Sequence, residues 1–275
     1  MTSEHIPPIL YKFRKWDRDS NPPGFECRIL THREAYFTSP KYFNDPFDCK
    51  IGLDLASKTK GDYVNHFSKE YSTEKVTALS EALTHNPEGF INDVAAMTAR
   101  LADKSGVFCL SENPQDLLLW SHYSDGHQGF CIGIDSAAFP APDVYLRRGS
   151  TEIHYVGVKY EDVLPSLDPF LEDPNEWLDQ QYRYKAAVWN YEHEHRYVMI
   201  KDPQEGPLTD QERAFHLSPS AIKEIILGCK TDDDRASKVK TEVRRLAALN
   251  PNVRLLRSVK SKSRFSVDIV PEPMQ

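Results

Sequence analysis

The chain has 275 residues, 40% of them hydrophobic and 27% charged, with a formal net charge of -7. That length buries a core without a metal or disulfide staple, and that composition excludes wholesale disorder and a membrane-embedded chain. The start, MTSEHIPPIL, lacks the basic, apolar and small-residue pattern of a secretory signal, so the expected location is cytoplasmic, with no membrane partner. Five cysteines, Cys27, Cys49, Cys109, Cys131 and Cys229, are odd in number and widely spaced, which points to reduced thiols rather than a disulfide framework or thiolate zinc site.

In chain order, a strand is expected over Ile9 to Arg14, then a turn at Asn21, Pro22, Pro23 and Gly24, then an alternating stretch around Ala35 to Thr38. A long loop, SPKYFNDPFD, follows. Apolar residues recur at three and four from Asp62 to about Leu83 and from Pro87 to about Ala102, predicting an amphipathic helical insert over about 60–104. Beyond Gly106 come a strand, VFCLS, a helix opened by Asn113 and Pro114 and closed near Gly126, and a second strand, FCIGID. The stretch 160–179 is acidic and proline-rich and reads as a surface excursion. Further strands are expected at Ile153 to Tyr160, Tyr191 to Ile200, Glu224 to Leu227, Val253 to Val259 and Arg264 to Val270, with helices at Pro174 to Val188 and Asp233 to Leu249. The whole, 1–275, reads as a single α+β domain with a mixed or antiparallel sheet core.

Charge is uneven. Between Arg235 and Phe265 ten Lys or Arg face one acid, Glu242, a local balance of +9. No aromatic-interleaved stripe accompanies this block, so a solvated helix face is the first expectation and a nucleic-acid surface the second. No G-x-G-x-x-G, Walker loop, G-x-S-x-G or H-E-x-x-H is present. This argues against Rossmann dehydrogenases, P-loop ATPases, common serine hydrolases and zincins.

Three stretches concentrate chemistry. In the loop from Thr38 to Asp48, Asn44 and Asp45 suit either an Asx turn or contacts to a polar ligand, with Phe43 and Phe47 as anchors. In LLLWSHYSDGHQG, His122 beside Trp120 and Tyr123 suits a hydrogen bond to a ligand. A metal set of His122, Asp125 and His127 does not follow a recognised spacing, and no metal is expected. In WNYEHEHR, a strand would project Glu192, Glu194 and Arg196 to one face and His193 and His195 to the other. Those charges form an exposed ladder, or they face a cleft in which a carboxylate steadies a positive sugar carbon.

With LYKFR at 10–14, YFTSP at 36–40, FNDPFD at 43–48, FCLS at 108–111, WSHY at 120–123, GHQG at 126–129, Trp189, Glu192, Glu194, Arg196 and IILG at 225–228, the sequence resembles the bacterial domain-of-unknown-function 2971 family. More loosely, an arginine in the first strand, a serine after a following strand and a late Glu-x-Glu are similar to the arginine-serine-glutamate layout of ADP-ribosyltransferases. That similarity implies an ADP-ribosyltransferase-like fold acting on NAD as substrate. Arg14 would contact the phosphates, Ser39, or less favourably Ser111, would position the nicotinamide ribose, and Tyr11 or Tyr36 would stack on the nicotinamide. Glu194 would be the catalytic acid and Glu192 its acceptor-side partner, with Asn44, Asp45, His122 and Tyr123 completing the binding wall. The acceptor would be water, protein or nucleic acid, and toxin or anti-phage roles would follow by analogy. The rival expectations are a hydrolase or nuclease using His122, His127 and acidic residues, and a non-catalytic module binding a nucleotide or a partner.

Overall fold

The computed structural model describes residues 5–17, 19, 25–50, 52–53, 59–69, 71–167, 180–202 and 204–274. The turn expected at Asn21 to Gly24 and the 168–179 part of the acidic excursion lie outside the described residues, as does the start of the helix expected from Pro174. The fold is α+β. Nine strands form one sheet: β1 (Ile9–Arg14), β2 (Ser105–Ser111), β3 (Phe130–Asp135), β4 (Leu146–Arg148), β5 (Thr151–Gly157), β6 (Glu194–Lys201), β7 (Ile222–Leu227), β8 (Arg254–Lys260) and β9 (Val267–Pro271). Their spatial order is β9-β8-β7-β3-β1-β2-β6-β5-β4. Only β7 and β8 run parallel, so the sheet is mixed.

Strand alternation buries both faces. Phe130, Ile132 and Ile134 of β3 and Ile225 and Leu227 of β7 face a core that includes Ala236, Val239, Val243 and Leu246. Those four lie on the helix Asp233–Ala247, the crossover that joins β7 to β8. Cys131 and Ile226 point the other way, onto Phe13, Leu119 and Trp120. A third cluster, Val107, Val156, Tyr182 and Val198, lies beneath the loop that carries Cys49 and Phe43. All five cysteines are free.

The expected insert is three helices: α1 (Lys60–Phe67), α2 (Thr73–His85) and α3 (Pro87–Lys104). The first periodic run is therefore two helices rather than one, the second starting after Ser72 in extended conformation. The expected strand Ile153 to Tyr160 is split between β5 and a short strand, Lys159–Glu161. Of the helix expected from Pro174 to Val188, residues 180–183 are helical, but the chain then turns into a strand, Tyr184–Ala186, paired with Lys159–Glu161, followed by a 3-10 turn, Ala187–Glu192. Partner pairing overrides the local helical pattern there. No helix among the described residues is long and apolar enough to cross a membrane.

Candidate functional site

The sheet opens between β1 and β2. These neighbours pair only at Tyr11 with Ser111. Further along β2, Thr38 takes the place of β1 by bridging to Val107. Between those two points the Cys109 carbonyl accepts a hydrogen bond from Lys12 Nζ at 2.7 Å. The opening is a cavity of about 310 Å³, lined along one side by Tyr11, Lys12, Phe13 and Arg14 of β1. Gly129 lets the end of β1 come close, since a Cβ there would stand 2.2 Å from the Arg14 carbonyl oxygen.

Lys12 and Arg14 make the cationic wall. Two residues apart on a strand, they share a face. Arg14 lies 3.7 Å from Glu26. Burial, with the neighbouring Arg14 charge added, lowers the Lys12 ammonium to about 8. Burial also lowers Arg14.

The same cavity is lined by acidic residues from beyond β2 in the sheet, which form an acidic wall. Strand β6 begins at Glu194, and its period carries Glu194 and Arg196 to one face. Arg196, wholly buried, donates through Nε to Glu194 Oε1 at 2.8 Å and through Nη2 to Asp48 Oδ2 at 2.8 Å. Lys185 donates to Glu194 Oε2 at 2.8 Å and to Glu192. The charges thus form a buried cluster and not an exposed ladder. Glu192 does not arrive by strand alternation, because it ends the 3-10 turn and His193, at φ 41°, takes the left-handed conformation before β6 starts. That reversal lets Glu192 share Lys185 with Glu194 and accept from Tyr123 Oη at 2.7 Å.

Three carboxylates, Asp48, Glu192 and Glu194, share two cations, Lys185 and Arg196. The two glutamates respond oppositely. Burial pushes the Glu194 carboxyl up, but Arg196 and Lys185 more than reverse this and hold it well below the usual carboxylate range. Burial raises Glu192 as well, Lys185 opposes, the Glu194 charge adds to the rise, and the net shift is upward. Lys185 is lowered by burial and raised more strongly by the three carboxylates, so it stays protonated.

The third wall comes from helix α4 (Leu117–Tyr123) and the loop at 42–44. The helix starts at Leu117 rather than at Asn113 and Pro114, because Asp116 caps it by accepting from the Leu118 and Leu119 amides at 2.8 and 2.9 Å. Leu119, His122 and Tyr123 then face the cavity. His122 sits 6.4 Å from the rings of Trp189 and Tyr191, and Asn44 Nδ2 lies 3.5 Å from Tyr123 Oη.

Seven expected site residues therefore line one cavity: Tyr11, Arg14, Asn44, His122, Tyr123, Glu192 and Glu194. Three do not. Ser39 caps the short turn Pro40–Tyr42 and donates to the Ala102 carbonyl at 2.8 Å, whereas Ser111 does line the cavity. Tyr36 donates to Asp210 at 2.7 Å and stacks on Phe25. Asp45 closes an Asx turn by accepting from the Phe47 amide at 2.8 Å, and Phe47 is exposed rather than an anchor. His127 stacks on Trp120, and Asp125 is held by Arg235 at 2.7 Å, so neither joins His122 at the cavity. Among the described residues no three His, Cys, Asp or Glu side chains are grouped to hold a metal ion. Lys12, Asp48 and Lys185 join the site without having been expected there. The two-residue period of LYKFR places Lys12 beside Arg14, but Lys185 gives no such signal, since its segment reads as helix.

Fold and site together define an α+β protein with a charged cavity where its sheet parts. A family model described as a protein of unknown function (DUF2971) matches residues 119–197, which bears out the resemblance over that stretch. The match contains His122, Tyr123, Lys185, Glu192 and Glu194, and leaves out the cationic wall. Neither the curated proteins nor the solved structures include a match to the chain.

Proposed function

We propose that the cavity takes NAD as substrate and cleaves the bond between ribose and nicotinamide, passing the ADP-ribosyl group to water or a macromolecular acceptor. The observation that supports this reading is convergence: Arg14, Asn44, His122 and Glu194, from four separate parts of the chain, line one cavity. Phosphates suit Lys12 and Arg14. The ribose suits the acidic wall.

In this reaction the C1′–N bond breaks with its electron pair going to the pyridinium nitrogen, which leaves as neutral nicotinamide. C1′ becomes an oxocarbenium-like centre, and the acceptor oxygen bonds to it while losing a proton. Glu194, fixed by Arg196 and Lys185, is a stationary anion beside that centre. Glu192 has the raised proton affinity suited to receiving the acceptor's proton. With Glu192 ionised, the three carboxylates exceed their two cations by one negative charge, which the sugar cation offsets. Tyr123 orients Glu192 through its hydrogen bond.

The test is nicotinamide release from NAD by the purified chain and by Glu192→Gln, which keeps the shape of the side chain. Release by the wild type and a loss of about 100-fold or more in the variant is expected for removal of a general base. Absence of release, with water or an added acceptor, or an undiminished Glu192→Gln, would overturn the reading.

A further inference from the structure

The basic block does not behave as one surface. Arg235, Lys238, Lys240, Arg245, Arg254 and Arg257 each pair with a carboxylate. Lys260, Lys262 and Arg264 are exposed and make no ion pair among the described residues. They sit at the β8–β9 hairpin, whose tip is closed by the Ser261 amide donating to the Ser266 carbonyl at 3.0 Å. Beside them Phe265 has a relative exposure of 103%, the fullest of any large apolar side chain described. A single exposed ring is ordinary on a protein surface, but this one shares its hairpin with three cations that make no ion pair among the described residues.

Phe265 and Arg264 face Leu117 and Leu118 across an open groove of about 530 Å³ whose polar edge includes Asp116 and Asp268. Leu117 and Leu118 belong to helix α4, and the next residues of that helix, Leu119, His122 and Tyr123, line the main cavity. One helix therefore separates the cationic aromatic tip from the acidic wall.

We infer that single-stranded nucleic acid docks on this tip and groove. Its phosphates meet Lys260, Lys262 and Arg264, and a base stacks on Phe265 against Leu118. Stacking on an isolated ring needs an unpaired base, which selects single strands over duplex. Asp116 and Asp268 repel phosphate and keep the backbone on the tip, leaving the groove to bases, whose amino groups a carboxylate accepts from. As an acceptor in ADP-ribosyl transfer the strand rests on the reading above; as a bound ligand it does not.

The test uses the full chain and fluorescence anisotropy with a labelled single-stranded oligonucleotide of mixed sequence, its duplex, and a poly-glutamate peptide of equal charge. The expected result is single-strand binding that weakens with salt, falls about tenfold in Phe265→Ala and at least tenfold in Lys262→Glu/Arg264→Glu, and exceeds binding of duplex and peptide. No binding, equal binding of duplex, tighter binding of the peptide, or indifference to both variants would overturn the inference. Nicotinamide release into water by the same variants is expected to match the wild type. Absence of strand binding by the wild type with release intact removes the docking site alone, whereas strand binding by the wild type without any NAD turnover removes the glycosyl-transfer reading alone.

Discussion

Glu192 and Glu194 are the same residue type two positions apart, yet their surroundings push them in opposite directions. A pair separated in this way divides into an anion that stays ionised and a group that exchanges protons. As pH rises through the elevated Glu192 value, the base becomes competent, so nicotinamide release is expected to climb with pH above the usual carboxylate range, read from a pH-rate profile. Lys12, lowered to about 8, sets the opposite limb. It loses its charge as pH rises past that value and binds phosphate less well, so KM for NAD is expected to rise in alkali, and Lys12→Met is expected to raise KM at neutral pH and remove that alkaline limb. Arg196 has a structural consequence. Replacing it by Met leaves three buried carboxylates, Asp48, Glu192 and Glu194, to the single cation Lys185, and urea unfolding at neutral pH is expected to show a loss of about 3–5 kcal/mol. Glu194→Gln removes a partner of both Arg196 and Lys185, whereas Glu192→Gln leaves the Arg196 pairs with Glu194 and Asp48 in place, which makes it the cleaner probe of chemistry. The sign for acid stability follows from Glu194: its depressed value stabilises the fold above the usual carboxylate range, and that contribution is lost as pH falls through the folded-state value.

At the level of elements, helix α4 has only seven residues and depends on Asp116 to satisfy its first amides. Asp116→Ala is expected to cost about 1 kcal/mol in chemical denaturation. The short apolar strands were legible: β1 spans the expected Ile9 to Arg14 and β3 the expected FCIGID. Elements set by distant partners were not. The segment around Lys185 carries a helical pattern but is drawn into pairing with Lys159–Glu161, and the left-handed turn at His193 breaks the alternation that WNYEHEHR suggests. No local signal marks a histidine for that conformation, so Glu192 reaches the expected wall by a route that strand alternation does not describe.

For the molecule as a whole, the cavity exists because β1 leaves β2 after a single pair and Thr38 fills in further along. Such a parting is a property of the assembled sheet, with no counterpart in any one stretch of sequence. The candidate residues were legible by type, whereas their convergence was a matter of topology. Ser39 and Tyr36, drawn by order along the chain, illustrate the limit: both are committed to the helical insert and the 210 region instead. Whether the cavity takes NAD is read from a crystal structure of the Glu192→Gln variant soaked with NAD. The diphosphate is expected on Lys12 and Arg14, and the nicotinamide ribose against Glu194 and the substituted amide side chain. NAD bound elsewhere on the chain, or a cavity that stays free of it at saturating concentration, would contradict that expectation.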